Sequence, residues 1–171
     1  MIAELLELER LRDGRGIRTQ RQDLLPIVRE AVRAFEDKPP GARFTGAKEP
    51  ILLDLDADRV RTVLRNLMEN AIKYSLSESR AVEVTVDADA DSVFVRVTDD
   101  GPGLPESDLD RVFEPFYRVD PSRSKKTGGY GLGLSMCRRI MEAHGGGIVG
   151  QNNAGRGATF TLTFKRLSSV P

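Results

Sequence analysis

The sequence of 171 residues predicts a single domain of the α+β class, and three observations support this prediction. Residues 60–72 carry a long apolar stripe at helical spacing. Residues 82–86 and 93–97 alternate apolar and polar side chains with period two, which is typical of an antiparallel hairpin with one buried face. The apolar fraction of 39% is sufficient for one hydrophobic core.

Composition excludes several classes of protein. Lys plus Arg equals Asp plus Glu, at 26 each, so bulk charge gives no support for nucleic-acid binding. The single cysteine, Cys137, allows no intrachain disulfide and no cysteine zinc cluster, and its apolar helical context predicts a buried small hydrophobe. We expect a reducing, cytoplasmic location. No signal peptide or long apolar run is present, so we expect no membrane contact by this chain, although a longer parent could be anchored in the inner membrane.

The first part of the chain is predicted to alternate short helices with short strands. Apolar spacing indicates a helix over residues 1–12, followed by a turn and linker at residues 13–16. Asp23 is placed to cap a helix that runs to about residue 36, before the Pro-Gly segment 38–41. Short strands are predicted at residues 17–22, 42–47 and 51–55.

Asp56 or Asp58 is placed to cap the helix that carries the long apolar stripe. A short helix is expected near residues 108–112. Residues 113–129 have few periodic apolar residues, and about 15 residues of this kind inside a compact domain usually form a functional lid. The chain is then predicted to form a helix that is stopped at residues 144–147 and two final strands, at residues 148–152 and 158–164.

The polar side of the central helix carries Asn66, Asn70 and Lys73. Residues three and four apart on a helix lie on one side, so two amide oxygens and one ammonium group are offered to the same spot. Oxygen ligands suit Mg²⁺ and a point charge suits phosphate. The alternative is a solvated polar face on a core helix. Three glycine-rich stretches further along the chain favour the first interpretation.

Five motifs occur in order: an N box at residues 66–75, a glycine box at 99–103, an F box at 112–118, a second glycine box at 129–134 and a third at 155–160. In these motifs the sequence resembles the catalytic, ATP-binding domain of bacterial two-component sensor histidine kinases, of the Bergerat-fold superfamily shared with gyrase, Hsp90 and MutL. The resemblance covers roughly residues 22–165. It implies a two-layer α/β sandwich, in which a mixed, mostly antiparallel sheet packs against about three helices, with a mobile ATP lid.

The resemblance also implies where the adenine end of an ATP site lies. Asp99 would accept a hydrogen bond from the exocyclic amino group. Gly101 and Gly103 would permit a close approach that a Cβ blocks. Thr159 would support Asp99 through its hydroxyl or a bridging water. Tyr74 would pack beside the adenine, and filling the core is its alternative role.

At the phosphate end, the resemblance implies that Asn70 and Asn66 hold Mg²⁺, while Lys73 neutralises phosphate charge. The second glycine box opens a helix, where free N–H groups and the positive helix end would face the phosphates. Its contributing residues are Gly129, Gly131, Leu132 and Gly133. In the lid, Arg118 and Arg123 match positions of phosphate contacts, and Phe113 and Phe116 are expected to dock the lid on the body.

One position distinguishes a kinase from an ATPase in this superfamily. Hydrolysing relatives carry a glutamate general base where this chain has Asn66, and an amide cannot be a general base. By analogy, Glu69 assists proton removal from an acceptor imidazole, and a solvated helix carboxylate is its alternative role. We therefore expect transfer of the ATP γ-phosphate to a histidine, by positioning and charge neutralisation. The alternatives are an ATPase of the gyrase and Hsp90 type or an anti-sigma-like serine kinase.

The phosphoacceptor is expected to lie outside this chain. Its single histidine, His144, precedes three glycines at a helix end, and we expect a structural role for it. Residues 1–16 resemble the end of a dimerisation and phosphoacceptor hairpin plus linker, and residues 17–171 the catalytic domain. The expected partners are the chain's own upstream dimerisation and histidine-phosphotransfer domain and the receiver domain of a response regulator. Alone, the chain is expected to be monomeric and unable to autophosphorylate.

Overall fold

The computed structural model of the protein describes residues 2–12, 16–119 and 130–166. Its helices are α1 (Ile2–Arg12), α2 (Leu24–Arg33), α3 (Ala57–Lys73) and α4 (Gly133–Ala143), with two 3-10 turns at Glu106–Asp108 and Arg111–Phe113. Its strands are β1 (Gln20–Asp23), β2 (Ala42–Gly46), β3 (Leu52–Leu55), β4 (Val82–Ala88), β5 (Ser92–Thr98), β6 (Gly147–Asn152) and β7 (Ala158–Lys165).

Five of the strands form a mixed sheet in the order β2-β4-β5-β7-β6. The β2–β4 pair is parallel and the other three pairs are antiparallel. Strands β1 and β3 form a separate two-stranded antiparallel sheet. Helices α2, α3 and α4 pack on one face of the large sheet, so the predicted α+β sandwich, with a mostly antiparallel sheet and about three covering helices, is confirmed.

The core lies between this sheet and its helices. Along β5, Val93, Val95 and Val97 are buried while the residues between them are partly exposed, as the period-two pattern predicts. The α3 stripe is buried from Val60 to Ala71. Cys137 is also fully buried, as expected, on α4.

Two of the predicted helix caps are present. Asp23 Oδ1 accepts from the Leu25 N–H at 3.1 Å at the start of α2, and also from the Ile51 N–H at 2.9 Å. For α3 the cap is Asp56, whose Oδ1 accepts from the Arg59 N–H at 3.2 Å. Asp58 instead lies in the first turn and pairs with Arg61. Each carboxylate satisfies an otherwise unpaired helix N–H.

Three predicted boundaries differ from the structure. Strand β1 begins at Gln20 rather than residue 17, because its extent follows its pairing with β3 rather than any apolar pattern of its own. Helix α2 ends at Arg33, and residues 34–37 continue as turns that still bury Phe35. The short helix expected near residues 108–112 is two 3-10 turns, since a stretch this short does not sustain an α-helix.

His144 has the structural role that was expected. Its Nε2 accepts from the Asp56 N–H at 3.0 Å, and its Nδ1 lies 2.7 Å from the Ile140 carbonyl oxygen. The first contact requires an acceptor and the second a donor, so the hydrogen is on Nδ1. The ring thus joins the end of α4 to the start of α3.

Helix α1 packs against α4 and buries Leu8 and Leu11. Glu7 forms an ion pair with Arg59 on α3, and Arg59 Nε donates to the Gly16 carbonyl oxygen at 3.1 Å. Among the helices of the described residues, none combines the length and the apolar character needed to cross a bilayer.

Candidate active site

The polar side of α3 faces the start of α4. Asn66 Nδ2 donates to the Gly133 carbonyl oxygen at 3.4 Å, and the nearby Cys137 thiol donates to the Val63 carbonyl oxygen at 3.8 Å. Burial raises the pKa of that thiol to about 12, so Cys137 acts as a neutral packing group. Asn70, one turn further along α3, is partly buried, and its side chain makes no hydrogen bond to any residue that the structure describes. Its amide is therefore available to a ligand.

Two cationic side chains lie close together at the end of α3. Partial burial, and then the positive charge of Arg118, lower the pKa of the Lys73 ammonium. Arg118 is partly buried. The positive charge of Arg118 disfavours the ammonium form of Lys73, and a bound phosphate would bring a negative charge that favours it. The structure therefore brings together a lysine and an arginine that the sequence assigned to phosphate.

The start of α4 borders the same region. Its N-cap residue, Leu132, makes no side-chain capping bond, so the first N–H groups of the helix are not satisfied by a cap. Gly131 has a φ of +75°, and a Cβ there would lie 3.0 Å from the backbone of Phe116. The Phe116 N–H donates to the Gly131 carbonyl oxygen at 2.9 Å. This close approach explains why glycine is needed at position 131.

Asp99 lies at the end of β5, and its carboxylate is held on one side only. Asp99 Oδ1 accepts from the N–H groups of Gly101 at 2.9 Å and of Ala158 at 3.2 Å. Its Oδ2 accepts no hydrogen bond from the described part of the chain. Burial is the main reason that the pKa of Asp99 is raised. A desolvated carboxylate with one satisfied oxygen is suited to accept from a ligand N–H.

The residues around Asp99 restrict its surroundings. A Cβ at Gly101 would lie 2.7 Å from the carbonyl oxygen of Tyr74, and Gly103 has a φ of +74°. Tyr74 itself is 45% exposed, so its ring does not fill the core. The Thr159 hydroxyl donates to Asn153 Oδ1 at 2.7 Å, and Asn153 Nδ2 donates to the Asp99 carbonyl oxygen at 3.0 Å. Thr159 therefore reaches Asp99 through Asn153.

Sequence reasoning missed two residues of this region. Asn153 had no motif to mark it, and Asp100 lay in the glycine box at residues 99–103 without a role of its own. The structure buries Asp100 to 8% exposure against the guanidinium of Arg156. The only signal in the sequence was an arginine inside the third glycine box.

The two aromatic residues of the F box behave differently. Phe113 is buried and packs edge to face on Phe160, with ring centroids 6.0 Å apart, so its expected docking is confirmed. The expected docking of Phe116 is wrong, because its side chain is 52% exposed. Its backbone φ of +66° and its bond to Gly131 direct it away from the core. Arg123 and Gly129 lie outside the described residues.

Glu69, the expected proton acceptor, lies on α3 directly before Asn70 and is exposed. An exposed carboxylate is accessible to a side chain of another protein or domain.

A comparison with protein families matches residues 55–168 to the family described as histidine kinase-, DNA gyrase B-, and HSP90-like ATPase. Sensor histidine kinase WalK of Bacillus subtilis is 37% identical over 115 residues, which is 67% of this chain and 19% of that protein. Sensor histidine kinase YkoH of the same organism is 32% identical over 162 residues, or 94% of this chain and 35% of that protein. The chain thus spans about a fifth to a third of the length of these relatives.

Among solved structures, the nucleotide-free catalytic domain of histidine kinase ThkA matches with a TM-score of 0.74 and 29% identity, over 86% of this chain and 97% of that one. The fold, the site and these matches together define an ATPase domain of the histidine kinase, gyrase B and HSP90 type. The chain belongs to this family, and its relatives indicate an ATP-binding catalytic domain of the histidine kinase type.

Proposed function

We propose that the chain transfers the γ-phosphate of ATP to a histidine on a dimerisation domain upstream of it, for relay to an aspartate of a response regulator. The observation that carries this proposal is the arrangement around α3. A carboxylate with one oxygen left for a ligand lies near the end of the helix, and Lys73 and Arg118 lie close together beside its polar face.

In this proposal the chain catalyses by binding and orienting the nucleotide. Asp99 Oδ2 accepts from the adenine amino group, while Gly101 and Gly103 let the backbone after β5 pack closely on Tyr74 and Asn152. Lys73 and Arg118 neutralise charge on the phosphates. The N–H groups at the start of α4 add donors whose direction is fixed by the helix. Such contacts hold the γ-phosphate in line with an entering nucleophile.

The side chains present fit a magnesium ion that is held mainly by the nucleotide. The described residues contain no group of three or more His, Cys, Asp or Glu side chains that could hold a metal. The Asn70 amide is free of hydrogen bonds to them, while Asn66 is engaged by α4, so Asn70 is the first candidate ligand. When held by Asn70, Mg²⁺ would offset the negative charge of the phosphates.

We favour transfer over hydrolysis because of two side chains on α3. Asn66 donates its N–H to Gly133, and an amide takes no proton from a water molecule. Glu69 is exposed, where an acceptor imidazole on another domain can reach it. In this proposal Glu69 accepts the imidazole proton as the new P–N bond forms and the bond to the ADP oxygen breaks.

We place this activity in the cytoplasm, where ATP and receiver domains are found, and we take the chain alone to be monomeric. The relatives are several times longer than this chain, so the acceptor domain is sought upstream in its parent protein.

The test follows the γ-phosphate of labelled Mg²⁺-ATP with this chain alone and with the chain extended upstream through its parent's helical hairpin. We expect label on the extended protein only, as an acid-labile phosphoramidate. Lys73→Met in the extended protein should remove the label. Lys48→Met, at an exposed lysine between β2 and β3, is the matched control and should label normally.

Release of free phosphate by both proteins, with no labelled protein, would contradict the proposal and favour an ATPase. Equal labelling of the Lys73→Met and Lys48→Met variants would show instead that the phosphates bind elsewhere.

A further inference from the structure

The Asp100 carboxylate is the buried centre of an ionic cluster beside the adenine end of the site. Arg156 approaches it with two nitrogens, Nη2 at 2.7 Å and Nε at 3.3 Å. The backbone N–H of Arg80 donates to Asp100 Oδ2 at 2.9 Å. The Asp100 side chain is 11% exposed and that of Arg156 is 38% exposed. A two-pronged arginine–carboxylate contact fixes orientation as well as distance.

The same cluster includes the loop that follows α3. Arg156 Nη1 donates to Glu78 Oε1 at 3.1 Å. The Ser79 hydroxyl donates to the Asp100 carbonyl oxygen at 2.9 Å. Three segments that are distant in sequence are therefore joined at one carboxylate: the end of β5, the loop at residues 76–80 and the turn before β7.

These are the segments that hold Asp99. Ala158, two residues after Arg156, donates its N–H to Asp99 Oδ1. Gly157 between them lies so close to the Asp99 carbonyl that a Cβ would overlap it. Asp100 directly follows Asp99 in the sequence, so the contacts of Asp100 also hold the Asp99 backbone. Any shift of the turn at residues 155–157 is thus transmitted directly to the Asp99 carboxylate.

We propose that Asp100 and Arg156 are positioning residues that aim Asp99 Oδ2 at the amino group of the base and so set the preference for adenine. This inference rests on the proposed function, since it assumes that Asp99 contacts the base. Neither Asp100 nor Arg156 touches the nucleotide in this proposal. Their effect is therefore expected on the choice of base and not on phosphate binding.

The alternative is a pair that only stabilises the fold. Removing Arg156 leaves the Asp100 carboxylate with only the contacts of Arg80, so some loss of stability is expected in either case. Selectivity between bases distinguishes a pair that only stabilises the fold from a pair that positions Asp99. A purely structural pair would weaken all nucleotides alike, whereas a positioning pair would reduce the advantage of ATP over inosine triphosphate, which has a carbonyl in place of the amino group.

The experiment measures dissociation constants for ATP and for inosine triphosphate with wild type, Arg156→Gln and Asp100→Asn, at a temperature where thermal melts show each protein folded. We expect the ATP preference of both variants to fall about tenfold or more, because a hydrogen bond to a charged group is no longer aligned. Arg96→Gln is the matched control. This substitution breaks the ion pair between Arg96 and Asp87, whose nearest atoms are 2.6 Å apart. Arg96 lies on the face of β5 that points away from the buried valines. The variant should keep the wild-type preference for ATP.

An unchanged ATP preference in both variants would overturn the inference, and so would the failure of both variants to fold at any temperature tested. Wild type that binds neither nucleotide, or binds both equally, would instead count against the proposed function. The two failures are thus distinguished by the wild-type measurement.

Discussion

Two adjacent carboxylates, Asp99 and Asp100, have opposite environments although they are one residue apart. Burial raises the pKa of Asp99, whose Oδ2 accepts nothing from the described residues. The hydrogen bonds from Arg156, and then from the Arg80 backbone, hold the pKa of Asp100 well below its usual range. A charged, fully engaged carboxylate thus supports a partly desolvated one that is left for a ligand.

The Asp100 environment predicts a specific dependence of stability on pH. Because its pKa is depressed in the folded state, Asp100 contributes stability that is complete above the pKa of an unfolded aspartate, about 3.9, and is lost as pH falls further. Denaturant unfolding of wild type should show this loss below about pH 4, whereas Asp100→Asn should be less stable at neutral pH and decline less on acidification. Parallel pH profiles for the two proteins would contradict the assigned ion pair.

At the scale of elements, the turn at residues 155–157 is the part of the site that is most constrained by its backbone. Gly157 has a φ of +90° and lies against the Asp99 carbonyl, whereas nothing lies within 4 Å of a Cβ built at Gly155. The two glycines belong to the same motif but meet different requirements.

We therefore expect Gly157→Ala to cost at least about 1–2 kcal/mol of unfolding free energy, from backbone strain alone, and to weaken ATP binding strongly. Gly155→Ala should leave stability and binding nearly unchanged. Denaturation curves and ATP titrations of the two variants test this. Equal effects at both positions would show that the motif needs flexibility rather than a left-handed residue.

The packing of α1 on α4 gives a second prediction for an element. Leu11 is 3% exposed in this contact, whereas Leu6 on the same helix is 60% exposed. Leu11→Ala should lower the free energy of unfolding by about 2 kcal/mol or more, and Leu6→Ala by no more than about 0.5 kcal/mol. If Leu11→Ala is as stable as wild type, α1 does not pack on the domain in solution.

Sequence predicted the elements better than their pairing. The Asp23 and Asp56 caps, the α3 stripe and the β4–β5 hairpin are local features, so short stretches of sequence determine them. The parallel pairing of β2 with β4 and the separate β1–β3 sheet join strands that are distant in sequence, and nothing local signals them.

The same distinction applies to the site. Asn66, Asn70 and Lys73 share a helix, so helical spacing was enough to bring them together. The Asp100–Arg156 pair joins residues 56 positions apart and depends on the fold. The outward direction of Phe116 depends on a left-handed backbone that non-glycine residues rarely adopt, so its residue type gave the wrong expectation.

For the molecule as a whole, the five-stranded sheet, its three covering helices and the segments between them place the Asp99 carboxylate, Lys73 and Arg118 around a single helix, α3. With 26 cationic and 26 anionic side chains in total, the chain has no net charge to attract a nucleotide. Binding therefore has to come from these few local groups.

The most direct test of this account is a calorimetric titration with the Mg²⁺ complex of ATP. We expect wild type to bind and Asp99→Asn to lose about tenfold to a hundredfold in affinity, because the charged acceptor for the amino group becomes a neutral amide. Asp87→Asn removes a carboxylate from the exposed pair with Arg96 and should bind as wild type does. Equal affinity of the Asp99→Asn and wild-type proteins would contradict the assigned site.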